Sequence, residues 1–424
     1  MLWRSAVAVC VKMSGPKRQK IAHSDIEECG LSANRKVLGS GDALVLRREL
    51  LAWWDRPGNR RAMPWRRIAP VSVRERQEWA YGVWVSEIML QQTQYERVKS
   101  YWQSWMEKWP TVEKLAAATI DEVQAQWTGL GYYRRARFLL DGAKIIGSTD
   151  NIPTTRDGWL KVKGVGPYTA AAVSSVCFNE KVPLVDGNVI RVLSRLCGLA
   201  DEKKASKVYW SIAGQLVDDT CDRPGDVNQA IMELGATVCL KSSNPSCSSC
   251  PYKSLCVVAS DPKTYPPLNF PPADKKQPTK LIKLVVTVAQ RLSDSRIALL
   301  QLPEGTSLLE AAGMWHLPTK TDDDSDNTMD FSLLDDTHNN KIRVTTENKP
   351  ITHSITNKKY QIHVDFLLVD DINNTEPIIN EQHNTALLAW VAEADLKTKG
   401  SSSIVQKAIK VVKQDCDAFI FSSS

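Results

Sequence analysis

The stretch LKVKGVGPYTAAAVSSV, residues 160–176, decides how the chain reads. Gly164 and Gly166 interrupt two helical patterns and lead into Pro167, which suits the first turn of a helix. Such a turn presents backbone N–H groups at a helix N-terminus, where they can hold a phosphate. Lys161 and Lys163 add positive charge beside it. Alone, a Gly-x-Gly turn is equally an ordinary helix connector. Asp186 then follows the apolar run Val182–Val185 and precedes Gly187, Asn188 and a further helical pattern. It reads as an N-cap, or as a carboxylate at the mouth of a cleft that a helix start keeps ionised.

Further along, Cys239, Cys247, Cys250 and Cys256 have the spacing C-x7-C-x2-C-x5-C. Close spacing of this kind suits metal ligation, either by zinc or by a [4Fe–4S] cluster, and spacing alone does not choose between them. Cys10, Cys29, Cys177, Cys197, Cys221 and Cys416 are scattered and read as free thiols of a reducing compartment.

Upstream, Trp84 to Gln94 reads as a helix on which Glu87, Gln91 and Gln94 form one polar stripe beside Trp84 and Ile88. Glu87 then sits at an apolar border, where desolvation raises its pKa and suits it to proton donation. The plain alternative is a surface glutamate. Arg134, Arg135 and Arg137 follow the aromatic pair Tyr132-Tyr133, which suits phosphate contact with base stacking, or a solvated helix face. No histidine lies between His23 and His316. The middle of the chain therefore has no Ser-His or Cys-His chemistry of its own, and carboxylates, Tyr, Lys or the cysteine centre remain.

The chain is long enough, at 424 residues, for two or three domains. Its net charge of +6 permits a polyanionic partner without requiring one. No apolar run is long enough to span a bilayer, and Ala6–Val11 is too short for a secretory core, so no membrane partner is expected. Residues 1–40 read as a disordered or targeting tail; its basic residues suit mitochondrial or nuclear delivery. From 41 to 258 apolar residues recur at helical spacing. Residues 259–279 are proline-rich and read as a semi-rigid linker. After Lys280 the period changes to strands at Leu281–Val288 and Tyr360–Val369, with an acidic insertion around Asp322-Asp323-Asp324 and a terminal helix over Ile404–Val412.

Several long motifs occur in one order: Pro64-Trp65-Arg66, Val85 to Gln94, Trp127 to Tyr133, Gly164 to Ala170, Asp186 to Val189, and Asn228 to Ala236. In these, residues 45–258 resemble the helix-hairpin-helix DNA glycosylases with an iron–sulfur cluster, and among them the MutY-type adenine DNA glycosylases. The resemblance implies a mostly α catalytic region over 41–258, with a six-helix barrel at 95–185 and the remainder joining 186–258 in a cluster domain. An α+β Nudix-like lesion-recognition domain follows at 280–415. It implies an enzyme that removes adenine mispaired with 8-oxoguanine or guanine in double-stranded DNA. By that likeness Glu87 protonates the leaving adenine and Asp186 stabilises the oxocarbenium-like sugar, with Tyr168 and Asn188 in support. Arg66 and Glu233 line the adenine pocket, and Gln92 and Tyr132 enter the base stack. The four cysteines hold a [4Fe–4S] cluster that shapes a basic loop near Lys241 and Lys253.

Tyr168 stands where endonuclease III-like relatives carry a Schiff-base lysine, so a monofunctional glycosylase is expected over a glycosylase/lyase. Intact Glu87 and Asp186 argue against a mismatch-binding protein without turnover. In the C-terminal region Leu308-Leu309 and Gly313 to Pro318 resemble the Nudix-like domain, without a Glu-rich Nudix box. The expected Phe-Ser-His motif is reduced to His353-Ser354-Ile355, which leaves Ser354 to reach the lesion base. Lys163 replaces the usual proline, and the first cysteine gap has one residue more than the family usually has. A monomer is expected, with repair or replication proteins docking at the 259–279 linker.

Overall fold

The computed structural model describes residues 10–13, 18–21, 38, 40–68, 72–149, 151–199, 202–241, 244–272, 278–301, 315–321, 341–345, 349–355, 357–369, 387–397, 401 and 403–415. The chain forms two compact units, Met1–Glu113 with Gly142–Lys275, and Lys114–Asp141 with Lys276–Ser424.

The first helices are α1 (Ser40–Trp54), α2 (Val73–Leu90), α3 (Tyr95–Lys108), α4 (Val112–Ala116), α5 (Ile120–Trp127) and α6 (Arg134–Gly147). Then come α7 (Arg156–Trp159), α8 (Pro167–Phe178), α9 (Gly187–Cys197), α10 (Glu202–Leu216), α11 (Pro224–Thr237) and α12 (Val257–Ser260). The turn between α7 and α8 is the predicted hairpin, and Gly164 takes φ +80° there, a conformation open mainly to glycine. Pro167 begins α8, as its fixed φ suits.

The core of the first unit gathers Leu46, Leu50 and Trp54 of α1, Leu193 of α9, Tyr209 of α10 and Leu234 of α11. Two large aromatics, Trp84 and Trp159, meet at 5.6 Å between α2 and α7. α8 is buried from Thr169 through Ser175, and its small residues let α11 come close. At Gly225 of α11 an added Cβ would lie 2.5 Å from the Ser175 carbonyl oxygen and 2.7 Å from Val176 Cα.

In the second unit β3 (Lys280–Arg291) and β9 (Lys358–Val369) pair in parallel over their whole length. β4 (Ile297–Gln301) and β6 (Thr319–Thr321) lie against β3, while β7 (Lys341–Thr345) and β8 (Ile351–Ile355) lie against β9, all antiparallel. β5 (Trp315–His316) and β10 (Leu387–Val391) pair with β4. Alternate residues Leu284, Val286 and Val288 of β3 turn into a core shared with Ile362, Val364 and Phe366 of β9. Helix α13 (Ser403–Asp415) closes that face with Ile404, Val405, Ala408 and Val412. The predicted change from helical to strand periodicity after Lys280, and the terminal helix, are both present.

Three features of the structure bear on the expected boundaries. Residues 114–141, expected inside the 95–185 barrel, group with the sheet unit, where Tyr133 packs on the sheet core. Within the expected disordered tail, β1 (Cys10–Met13) and β2 (Arg18–Ile21) pair antiparallel. The front of the expected linker is docked: Arg195 Nε donates to the carbonyls of Pro267 and Phe270, each at 2.9 Å, and Phe270 is buried. The acidic insertion at Asp322-Asp323-Asp324 lies outside the described residues.

The backbone contact at Gly225 gives a direct test of the α8–α11 packing. Gly225→Ala should destabilise the first unit by about 1–3 kcal/mol, since backbone atoms must move to admit the methyl group. Urea unfolding followed by tryptophan fluorescence measures it; an unchanged midpoint would refute the close approach.

Candidate active site

Glu87 enters the site from α2. The helix starts at Ser72, whose Oγ accepts from the Glu75 amide at 3.2 Å. From Trp79 to Met89 every residue is buried, so the helix is enclosed on all sides and carries Glu87 inside, 9% exposed. Burial pushes the Glu87 carboxyl up to about 7; Tyr168's hydrogen bond and Arg66 oppose the push, and the charge of Asp186 adds to it. The helix stops at Leu90, with Gln91 as its C-cap and Gln94 as the N-cap of α3. The expected stripe of Glu87, Gln91 and Gln94 on one helix therefore does not form. The backbone turns over instead at Gln92, exposed and at φ +56°.

Tyr168 reaches Glu87 from the first turn of α8. Its Oη donates to Glu87 Oε2 at 2.8 Å and lies 3.1 Å from Met232 Sδ of α11. Beyond the hairpin, Gly166 is the N-cap of α8 and supplies no side-chain cap, leaving first-turn N–H groups at an exposed turn. Lys161 and Lys163 are exposed beside it.

Asp186 is the N-cap of α9. Its Oδ1 accepts from the Val189 amide at 2.8 Å and its Oδ2 from Asn188 Nδ2 at 2.9 Å. Burial raises its carboxyl above the usual aspartate value even so. The helix start expected to hold Asp186 ionised thus offsets desolvation only in part. Asn188 is held in turn: Arg191 Nη2 donates to its Oδ1 at 2.8 Å. Arg191 also donates to the Gly235 carbonyl and to the Cys239 carbonyl, each at 2.6 Å. Gly235 allows α11 this close to α9, for a Cβ there would lie 2.7 Å from Asn188 Cβ.

Glu233 of α11 is fully buried between two arginines. Arg61 contacts both its oxygens, at 2.7 and 3.0 Å, and Arg66 Nη2 donates to Oε2 at 2.8 Å. Burial drives this carboxyl up, but Arg61 and Arg66 outweigh it and hold the group below its usual range. Arg66 also lies over the Trp54 ring at 5.1 Å. Arg66 and Glu233, expected together from sequence, do meet. Arg61, Met232 and Arg191 were not foreseen. Their signals were the Arg60-Arg61 pair, the position next to Glu233, and the i+3 spacing from Asn188.

In the second unit Tyr132 is 39% exposed and holds φ +49°, after Gly129 and Gly131 at φ +99° and +73°. Gln92 and Tyr132, both expected to enter DNA, are thus two of four non-glycine residues with positive φ among the described ones. Such conformations gather at functional positions. Arg135 is buried rather than free for phosphate: it stacks on Trp127 and Tyr132 and donates to the carbonyls of Leu130 and Gly131. Burial lowers its pKa to about 10. Arg134 is exposed over the Phe138 ring. Ser354 is exposed on β8, opposite Lys359 of β9. Leu308, Leu309, Gly313 and Met314 lie outside the described residues, while Trp315 and His316 are buried in β5.

The four clustered cysteines are thiols within electrostatic reach of one another: Cys239, Cys247 and Cys256 all push up Cys250, after burial, to about 12. Burial and the charge of Cys239 likewise raise Cys247 and Cys256. Backbone N–H groups of Tyr252, and of Val258 and Ala259, point to Cys250 and Cys256. Arg195 Nη1 stands 3.2 Å from Cys239 Sγ. Four crowded thiols with N–H donors and a guanidinium fit an anionic metal–sulfur core, which would relieve their mutual cost by coordinating thiolates. Among the described residues no His, Cys, Asp or Glu group converges around a single ion. The cysteines expected to be free are so where described, Cys177, Cys197 and Cys221 being buried.

A sequence profile described as HhH-GPD superfamily base excision DNA repair protein matches residues 85–213, which include Glu87, the hairpin, Asp186 and Arg191. An adenine DNA glycosylase of Arabidopsis thaliana is 36% identical over 88% of this chain and 65% of its own length. One of Rattus norvegicus is 46% identical over 51% of this chain and 42% of its own. The chain thus spans less than two thirds of the length of these relatives. A solved thermostable thymine-DNA glycosylase aligns with 51% of this chain and 96% of its own, at 25% identity and a TM-score of 0.44. The profile takes in the carboxylates of α2 and α9 and the hairpin between α7 and α8, and it stops before α11 and the four cysteines; residues 85–213 are thus an HhH-GPD domain of the base excision DNA repair type.

Proposed function

We propose that the chain is a DNA glycosylase that hydrolyses the N-glycosidic bond of adenine mispaired with 8-oxoguanine or guanine in double-stranded DNA. The observation that carries this reading is the buried Glu87 carboxyl, pushed up to about 7 beside Tyr168 and within the field of Asp186. A carboxyl titrating near neutrality is an efficient proton donor there. Adenine leaves readily only once its ring is protonated, and Glu87 supplies that proton. Positive charge then develops on the sugar, and the Asp186 carboxylate stabilises it by charge or by transient covalent attachment. Two carboxyls with separate hydrogen-bond partners divide the labour as in glycoside hydrolysis. Glu233, held ionised by Arg61 and Arg66, is an acceptor-only group that suits the exocyclic amine of adenine. Tyr168 brings no amine to the site, so strand cleavage through a Schiff base is not part of this reaction. The names of the relatives support adenine as the base.

The strained Gln92 and Tyr132 turns and the exposed hairpin supply DNA contacts in this reading, and Ser354 reaches for the oxidised guanine. Cys239, Cys247, Cys250 and Cys256 hold a [4Fe–4S] cluster. When bound, it cross-links the loop after α11 and supplies no chemistry at the sugar. Delivery to nucleus or mitochondrion completes the proposal.

Three results are expected. Glu87→Gln should slow adenine release by about 100-fold or more while leaving duplex binding intact, read by single-turnover excision and mobility shift. Excision that survives this change would remove Glu87 as the acid; in wild type, adenine should leave faster opposite 8-oxoguanine than opposite guanine or thymine. Second, Glu87→Gln should raise the melting temperature more at pH 8 than at pH 5. The folded Glu87 pKa lies above its unfolded value, so the native state loses stability as pH rises through about 7, and the amide removes that loss. Equal gains at both pH values would contradict the burial argument. Third, elemental analysis should find iron and not zinc, and Cys250→Ser should lower it.

A further inference from the structure

Tyr168 has one hydroxyl proton and two acceptors at bonding distance, Glu87 Oε2 at 2.8 Å and Met232 Sδ at 3.1 Å. The carboxylate is the stronger acceptor and the thioether the weaker. A phenol that gives its proton wholly to Glu87 stabilises the ionised carboxylate, which is the form that cannot act as an acid. A second acceptor on the other side of the hydroxyl weakens that preference. It also keeps the buried phenol satisfied once Glu87 carries a proton, whichever carboxyl oxygen holds it.

We propose that Met232 is a positioning residue whose thioether draws the Tyr168 proton away from Glu87, so that Glu87 can hold the proton it delivers to the leaving base. This rests on the reading of Glu87 as the acid. The half-buried Met232 sits on α11 next to Glu233, so the helix that presents the base-recognising carboxylate also sets the acid. The charged and titratable groups facing Glu87 are Tyr168 and Cys177 of α8, Asp186 at the start of α9, and Arg66 from the segment before α2. Asp186 favours the protonated acid and Arg66 disfavours it. Of the groups at bonding distance from the Tyr168 hydroxyl, Met232 is the one whose acceptor strength can be changed without altering a charge.

The test uses the full chain and a duplex carrying adenine opposite 8-oxoguanine, with single-turnover excision measured across pH. The wild-type rate should fall as pH rises through about 7, where Glu87 loses its proton. Met232→Leu conserves volume and removes the acceptor; its alkaline fall should begin about half a pH unit lower, so that, with each rate normalised to its own acid-side value, the variant is roughly threefold below wild type at pH 8. Met232→Gln supplies a stronger amide acceptor and should move the fall upward. A purely structural disturbance would move both variants the same way, and if one fails to fold the other is judged by whether its shift disappears in the Tyr168→Phe background. In a Tyr168→Phe background neither change should move the profile further. Profiles that coincide with wild type, shifts of one sign in both variants, or shifts that persist without the Tyr168 hydroxyl would overturn the proposal. Should Glu87→Gln still release adenine, the underlying reading of Glu87 fails; should that variant be inactive while the Met232 profiles coincide, only the role of Met232 fails.

Discussion

A carboxyl group enclosed by an apolar helix is the constraint on which the site depends. Glu87 is surrounded along α2 by Trp84, Val85, Ile88 and Met89, all of them buried. Such a group is costly as an anion, and the fold limits the cost with the Tyr168 hydroxyl and the charge of Arg66 rather than by an ion pair. The contrast with Glu233 shows what an ion pair would do. Glu233 is more deeply buried, yet Arg61 and Arg66 hold it below its usual range. Two glutamates of one site are thus set to opposite states by their neighbours, one able to donate a proton and one able only to accept a hydrogen bond.

The second carboxylate belongs to a longer arrangement. α9 begins at Asp186 and within three turns presents Asn188, Arg191 and Arg195. Asn188 orients Asp186, Arg191 orients Asn188 and grips the Gly235 and Cys239 carbonyls, and Arg195 stands at the Cys239 sulfur. One helix therefore carries the cap of the site at its start and the anchor of the cysteine loop near its end. Arg195 extends the anchor to Pro267 and Phe270, which is why the front of a segment with linker composition is docked.

Much of this was legible in the sequence, because it is local. A Gly-x-Gly turn before proline, an aspartate before Gly-Asn, and strand alternation after Lys280 each report backbone geometry within a few residues. The raised pKa of Glu87 was foreseen for the right reason, its apolar neighbours, although the stripe with Gln91 and Gln94 was not real. The helix ends at Leu90, since the backbone must turn over at Gln92. What escaped was non-local. Arg61 and Glu233 lie 172 positions apart, and Arg135 looked like its neighbour Arg134 until the Trp127 ring was seen beneath it. Composition likewise identifies a proline-rich segment but not the buried guanidinium that holds it.

The proposed reaction makes two demands, a dry acid and a wet grip on nucleic acid, which conflict unless something joins them at short range. α8 does so within its first turn. Gly164 and Gly166 leave backbone N–H groups at an exposed turn, and two residues after Gly166 the Tyr168 side chain meets Glu87 in the interior. Pro167 between them fixes the backbone, so the direction of Tyr168 follows from the position of the hairpin. A ligand that seats the hairpin would therefore sit two residues from the side chain that hydrogen-bonds Glu87. In this geometry the grip is also part of the setting of the acid. The aromatic residue, with its single hydroxyl proton, suits that place better than an amine, which would pair with Glu87 as a cation and hold it ionised.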